Sequence, residues 1–338
     1  VKIKTIITIL VSAGFLTMAV WNFEADEFIT AIKQVHPIYV IPALFLYLFS
    51  FVFRTIRWRI MLRSVKDIRM PSLLSYIIIG YMSNNLLPAR LGEIVRAYVT
   101  GKREKMSRSS VFASVVLERL FDGVTIIMIL LVVMFAMDVN LGWLRYMAWT
   151  GAGLFIGALV FLFALSYQKD RMLSLVSKIL SIFPKQLSDK ILHILNRFVL
   201  GLTLLRTPKD FFLSIMVSFL VWGCEVMVYQ MYLMAFEIDA PFKAALLALV
   251  VVNLSSLIPS SPGFIGVFQY ACIKSLAVFG IGATTALAWS VAIHSTQIIP
   301  ITIIGLILMT RMGFSMGEIS NVKLNENSND PQTNPPVS

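Results

Sequence analysis

Asn84-Asn85-Leu86-Leu87-Pro88-Ala89-Arg90-Leu91-Gly92-Glu93-Ile94-Val95-Arg96 puts two amides, a helix breaker, two arginines and a glutamate into an otherwise apolar chain. An ionisable group at membrane depth costs at least a few kcal/mol and usually faces a pathway, a cavity or a partner charge. The stretch therefore marks half of a functional site in a membrane protein.

Composition supports the membrane setting. The 338 residues are 58% hydrophobic and 14% charged, with mean hydropathy +0.81, whereas soluble domains carry roughly 25% charged residues. Several apolar runs approach the roughly 20 residues that cross a bilayer as a helix, and no alternating strand pattern points to a barrel. The fold class is an all-α polytopic membrane protein. The net charge of +11 reads as topology signal, because basic residues mark cytoplasmic loops. Cys224 and Cys272 lie in apolar segments without CxxC spacing or a neighbouring His, which indicates neither a disulfide framework nor a zinc site.

Charge along the chain sets the expected topology. Lys2 and Lys4 precede an uncleaved span over Thr5 to Val20, and Glu24, Asp26 and Glu27 mark an outer loop. A span over Ile38 to Phe53 then runs inward and ends in Arg54, Arg57, Arg59, Arg63, Lys66 and Arg69, a cytoplasmic marker. Pro71 to Leu87 is apolar, yet Arg90, Arg96, Lys102, Arg103, Lys105 and Arg108 follow before the next span. A re-entrant hairpin broken between Asn84 and Gly92 keeps those charges inside. Ser109 to Met137 runs outward carrying Glu118, Arg119 and Asp122, of which the two acids share a helix face. Trp143 to Tyr167 returns inward. The basic loop 168–209 contains an amphipathic helix after a cap at Ser188, either lying in the interface or serving as a connector. Phe211 to Phe236 goes outward, and the chain breaks again between Asn253 and Gly266. A last span, Ala283 to Met309, runs inward.

The expected architecture is thus about six full spans plus two re-entrant broken-helix hairpins in an inverted repeat. Residues 1–316 form one transmembrane domain: unit 38–137, connector 138–210 and inverted unit 211–309. Residues 317–338 form a disordered cytoplasmic tail. Both termini are expected in the cytoplasm. The breaks correspond, with Asn84, Pro88 and Gly92 in one and Asn253, Pro262 and Gly266 in the other. Opposed broken helices near the midplane are a transporter design; the alternative is two spans merely kinked by Pro and Gly.

Asn84 to Glu93, then Glu118-Arg119-Leu120-Phe121-Asp122, then Pro259-Ser260-Ser261-Pro262-Gly263-Phe264-Ile265-Gly266, resemble the lysylphosphatidylglycerol synthase transmembrane region, the flippase-like UPF0104 family. The resemblance covers roughly Lys4 to Met312. It implies a membrane module that moves a lipid between leaflets of a prokaryotic cytoplasmic membrane. The sequence stops at Ser338, so the expectation is a translocating module without the synthase domain and without its lysyl transfer. Gln269 stands where family members often have Glu, and His294 near a frequent Arg; burial opposes a charge on that His.

The function expected from these residues is translocation of a phospholipid, an aminoacylated or glycosylated lipid, or a polyprenyl-phosphate. Arg90, Arg96 and Arg119 are the phosphate candidates, since guanidinium forks match phosphate oxygens. Glu93, Glu118 and Asp122 would balance them or bind a cationic headgroup, unless these acids only join helices as a buried ion-pair cluster. A lipid-phosphate transferase and a scaffold for a cell-envelope enzyme are the rivals. There is no HExxH, DxD or Walker loop and there are only three His, so neither catalysis, nor a metal, nor another cofactor is expected. Expected partners are membrane lipids, anionic headgroups first, and a separate lipid-modifying enzyme, with no nucleic acid. The oligomeric state stays open, a dimer included.

Overall fold

A computed structural model of the chain describes residues 2–21, 23–87, 91–136, 142–180, 185–202 and 207–320. Among these residues only helical elements and their connections occur. They are α1 (Lys2–Ala19), α2 (Ala25–Lys33), α3 (Pro37–Leu62), α4 (Met70–Leu86), α5 (Gly92–Glu104), α6 (Arg108–Ala136) and α7 (Gly142–Tyr167). There follow α8 (Lys169–Leu180), α9 (Lys185–Leu200), α10 (Pro208–Ala235), α11 (Phe242–Ser255), a 3-10 turn (Pro262–Phe264), α12 (Val267–Ala277), α13 (Ala283–Arg311) and α14 (Met316–Ser320). Proline opens α3, α4 and α10 in the first helical turn, where its missing N–H removes no intrahelical bond.

Among the described residues, four helical segments are long and apolar enough to cross a membrane: Pro37–Leu62, Ala148–Tyr167, Pro208–Ala235 and Ala283–Arg311. Of the six expected spans, the other two are α1, whose apolar segment is the shorter Thr8–Ala19, and α6. The latter has 29 residues but carries Glu118, Arg119 and Asp122 within it. At about 1.5 Å per residue, α4 and α5 reach about 25 and 20 Å and α11 and α12 about 21 and 17 Å. Each is shorter than the roughly 30 Å hydrocarbon core.

α4 and α5 run antiparallel. Tyr76 donates to Glu104 at 2.8 Å at one end, and Asn84 donates to Glu93 at 3.2 Å near the break. A Cβ on Gly92 would lie 2.1 Å from the Gly80 carbonyl oxygen, so the absence of a side chain lets the two helices meet. Packing partners come in two corresponding sets. α3 packs on α4, α4 on α5 and α5 on α6; α10 packs on α11, α11 on α12 and α12 on α13. Across the sets, α3 pairs with α10, α4 with α13 and α11 with α6.

Several expectations need correction. The inward span does not end at Phe53: α3 continues to Leu62 and buries Arg54 and Arg57, which the sequence places in a cytoplasmic marker. They are 4% and 0% exposed because α6 and α10 present carboxylates to them. The segment after α1, expected as an outer loop, contains the helix α2. The amphipathic helix starts at Lys185, ahead of the expected Ser188 cap, and packs on α6. Just beyond it, Gly201 sits so close to the Ser110 carbonyl that a Cβ would approach it to 2.1 Å. The expected disordered tail begins with ordered α14, whose Ile319 is buried; the rest of that tail, 321–338, lies outside the described residues.

Candidate functional site

The two breaks end at one cavity of about 200 Å³. Asn84 and Asn85 reach it from α4 and Glu93 from α5; Asn253 reaches it from α11, Ser256 from the C-cap of that helix, and Gly263 and Phe264 from the 3-10 turn. Arg54 of α3, Arg119 of α6, Glu225 of α10 and His294 and Gln297 of α13 complete its polar wall.

The first break is held by side chains. Asn84 Oδ1 accepts from the Gly92 backbone N–H at 2.8 Å while its amide nitrogen donates to Glu93, which ties the start of α5 back to α4. Asn85 donates to Thr302 Oγ1 at 3.0 Å, fastening α4 to α13. Pro88 and Arg90 lie outside the described residues.

Behind the cavity is a buried ion-pair network. Glu118 receives Arg96 at 2.8 Å, Arg119 at 2.9 Å and Arg57 at 3.4 Å. Asp122 receives Arg57 at 2.6 Å, Arg119 at 3.5 Å and the Trp222 indole N–H at 3.1 Å. Arg57 also donates to Ser218 at 2.8 Å, linking α3 and α6 to α10. These pairs satisfy charges that would otherwise be prohibitive at depth. Arg96, expected to bind phosphate, does not line the cavity. It is 3% exposed, stacks over Trp58 at 3.6 Å and serves Glu118. Arg119 does line the cavity, with its side chain 39% exposed.

The second half is organised without charge on its own break. The Gly266 N–H donates to Gln269 Oε1 at 2.7 Å, and Gln269 Nε2 lies 3.0 Å from His294 Nδ1. The His294 ring stacks on Phe268 at 4.0 Å and faces the cavity. Gln269 is thus a positioning residue rather than part of the wall. Gly263 and Gly266 adopt φ of +67° and +89°, the left-handed region that favours glycine. Pro262 opens the 3-10 turn and Pro259 is exposed.

Residues missed in the sequence include Arg54, Glu225, Tyr47, Tyr81, Trp222 and Gln297. Arg54 donates to Glu225 at 2.6 Å and to the Tyr81 hydroxyl at 2.7 Å; Gln297 donates to the other Glu225 oxygen at 3.3 Å. Glu225 carried a legible signal, an acid deep in the otherwise apolar helix 208–235. The aromatic residues carried none, since rings in apolar helices also face lipid.

The family described as "Lysylphosphatidylglycerol synthase TM region" matches residues 5–305. A "UPF0104 membrane protein" of Methanothermobacter thermautotrophicus is 24% identical over 331 residues, covering 94% of this chain and 98% of that protein. A second protein of that description from the same organism is 26% identical over 282 residues, covering 78% and 80%. "Glycosyltransferase AglD" of Haloferax volcanii is 25% identical over 336 residues, covering 90% of this chain but 53% of that protein. No solved structure matches.

Proposed function

The chain belongs to the lysylphosphatidylglycerol synthase transmembrane region family, the family of the UPF0104 membrane proteins, and from that premise we propose that it translocates a lipid headgroup across a prokaryotic cytoplasmic membrane. The observation that carries this reading is the convergence of both helix breaks on one polar cavity. Non-helical backbone at depth is stable where protein or a cavity satisfies it. The short antiparallel pair α4 and α5 and the short helices α11 and α12 support two re-entrant hairpins, and the corresponding packing sets support an inverted repeat. In this arrangement both termini are cytoplasmic, the headgroup passes through the cavity and its chains stay in the bilayer. Asn84, Asn85, Asn253 and Gln297 offer hydrogen bonds, while Arg54, Arg119, Glu93 and Glu225 set the electrostatics. A separate lipid-modifying enzyme is the expected partner, a reading supported by the relative named as a glycosyltransferase, of which the matched part is 53%.

The test measures transbilayer rates of fluorescent phospho-, aminoacyl- and glycolipids in proteoliposomes for wild type, Arg119→Ala and Asn253→Ala. Wild type should exceed empty vesicles and both variants should be slower. Equal rates in all four preparations overturn translocation.

A further inference from the structure

We propose that the headgroup taken into the cavity is an uncharged sugar carried on a lipid, an inference that rests on the translocation reading above. Among the described lining residues, Arg54 and Arg119 stand against Glu93 and Glu225, so with His neutral the formal charges cancel. Behind the wall, Arg57 and Arg96 face Glu118 and Asp122, again in balance. A phosphate pushed into this space brings a negative charge beside two carboxylates, and because Arg54 is paired with Glu225 and Arg119 with Glu118, a phosphate that takes either arginine for itself breaks that pair. Breaking a buried pair in that way is strongly unfavourable. An amine meets the reverse difficulty, because it brings a positive charge beside Arg54 and Arg119 while Arg54 and Gln297 already hold the two oxygens of Glu225.

Hydroxyl groups meet neither. Each donates once and accepts twice, so a sugar can give to Glu93 and to amide oxygens and take from amide N–H groups with no change in net charge. The wall offers the amide oxygens of Asn85, Asn253 and Gln297 for this purpose, while their nitrogens donate to Thr302, the Leu249 carbonyl and Glu225. Tyr81 accepts from Arg54 at 2.7 Å and from Arg119 at 3.2 Å, which leaves its own hydroxyl hydrogen as the donor it can present. The rings of Tyr47, Tyr81, Trp222, Tyr229, Phe264 and Phe268 supply apolar surface for the C–H face of a pyranose. At about 200 Å³ the cavity is smaller than the roughly 300–1,000 Å³ of drug-sized sites. It therefore suits a single sugar, with the lipid chains outside.

The experiment uses the full chain in proteoliposomes with two fluorescent lipids of identical chains, a monoglucosyl diacylglycerol and a phosphatidylglycerol, and with radiolabelled free glucose. The glucosyl lipid should move at least about tenfold faster than phosphatidylglycerol, as expected of a site built to bond hydroxyls. Glu93→Gln, which leaves the described wall one charge positive, should shift that ratio toward phosphatidylglycerol. Free glucose should not cross. Equal rates for the two lipids, faster phosphatidylglycerol, or a ratio unmoved by Glu93→Gln overturns the sugar assignment and leaves translocation standing. Transport of free glucose overturns the lipid-borne source. Rates of both lipids no higher than in empty vesicles overturn the translocation reading and the assignment with it.

Discussion

At the first break, amide and carboxylate side chains bridge α4 to α5, and α5 is tied to α6 through the buried Arg96–Glu118 pair. At the second break, one uncharged glutamine holds Gly266 and His294, and the backbone itself is packed against α1. Ser12 Oγ accepts from the Ser261 N–H at 2.7 Å, and a Cβ on Gly266 would lie 2.4 Å from the Ser12 carbonyl oxygen. The chain ends divide accordingly: α1 braces the second pair, while α14 and Phe314 brace α5 of the first. The two sides of one cavity share close glycine packing, Gly92 on Gly80 and Gly266 on Ser12, but differ in what is added to it: ion pairs that need their counter-ions on the first side, an uncharged amide on the second.

The largest expected effect breaks the charged side. Glu118→Ala leaves Arg57, Arg96 and Arg119 without their shared carboxylate, and removing one partner of a buried pair costs about 3–5 kcal/mol. Thermal unfolding of detergent-solubilised protein should show a large drop in Tm. A drop no larger than that of Gln269→Ala would abolish the contrast between the two sides.

Next comes Gly266→Ala, which tests the uncharged side. The new Cβ meets the Ser12 carbonyl at a residue whose φ is +89°; overpacking costs about 1–3 kcal/mol and left-handed backbone about 1–2 kcal/mol more. Gly92→Ala meets the Gly80 carbonyl more tightly, at 2.1 Å, but without a positive-φ penalty, so a smaller drop in Tm than that of Gly266→Ala assigns the difference to the backbone conformation at Gly266. Equal shifts would mean that α1 yields and does not brace the break. Below both lies Gln269→Leu, which strands the buried Gly266 N–H at about 1–3 kcal/mol. Because His294 Nδ1 loses its hydrogen-bond partner, the same variant should also slow lipid movement.

Both breaks were legible because Asn, Pro and Gly interrupt apolar runs, a local signal. The network behind them was not. Arg54 and Arg57 lie in the same basic run as exposed Arg63, and only distant counter-ions separate a buried cation from a topology marker: Glu225, 171 residues away, for Arg54 and Asp122, 65 residues away, for Arg57. Arg96 was legible as an ionisable residue at depth, but whether it faces a ligand or Glu118 depends on how α5 turns against α6. The docking of α14 was hidden for the same reason, since Glu318 meets Lys102 across 216 residues of chain.

The smallest effect concerns that docking. Glu318 accepts from Lys102 at 2.6 Å and from Tyr98 at 2.7 Å, and these bonds, that of Lys102 first, hold its carboxyl below the ordinary Glu range. A depressed carboxylate contributes stability that is fully present above the unfolded value of about 4.3 and is lost as pH falls through the lower folded value. Half of the Lys102 side chain is exposed, so screening keeps the contribution below about 1 kcal/mol. The hydrogen-exchange protection factors of residues 316–320, taken against the intrinsic rate at each pH, should therefore be unchanged from neutral pH down to the ordinary Glu value and fall below it. Glu318→Gln should reproduce the acid behaviour at neutral pH. If protection survives both, Phe314 and Ile319 hold the segment by apolar burial alone, and the terminus bracing the first pair acts by packing, as α1 does on the second.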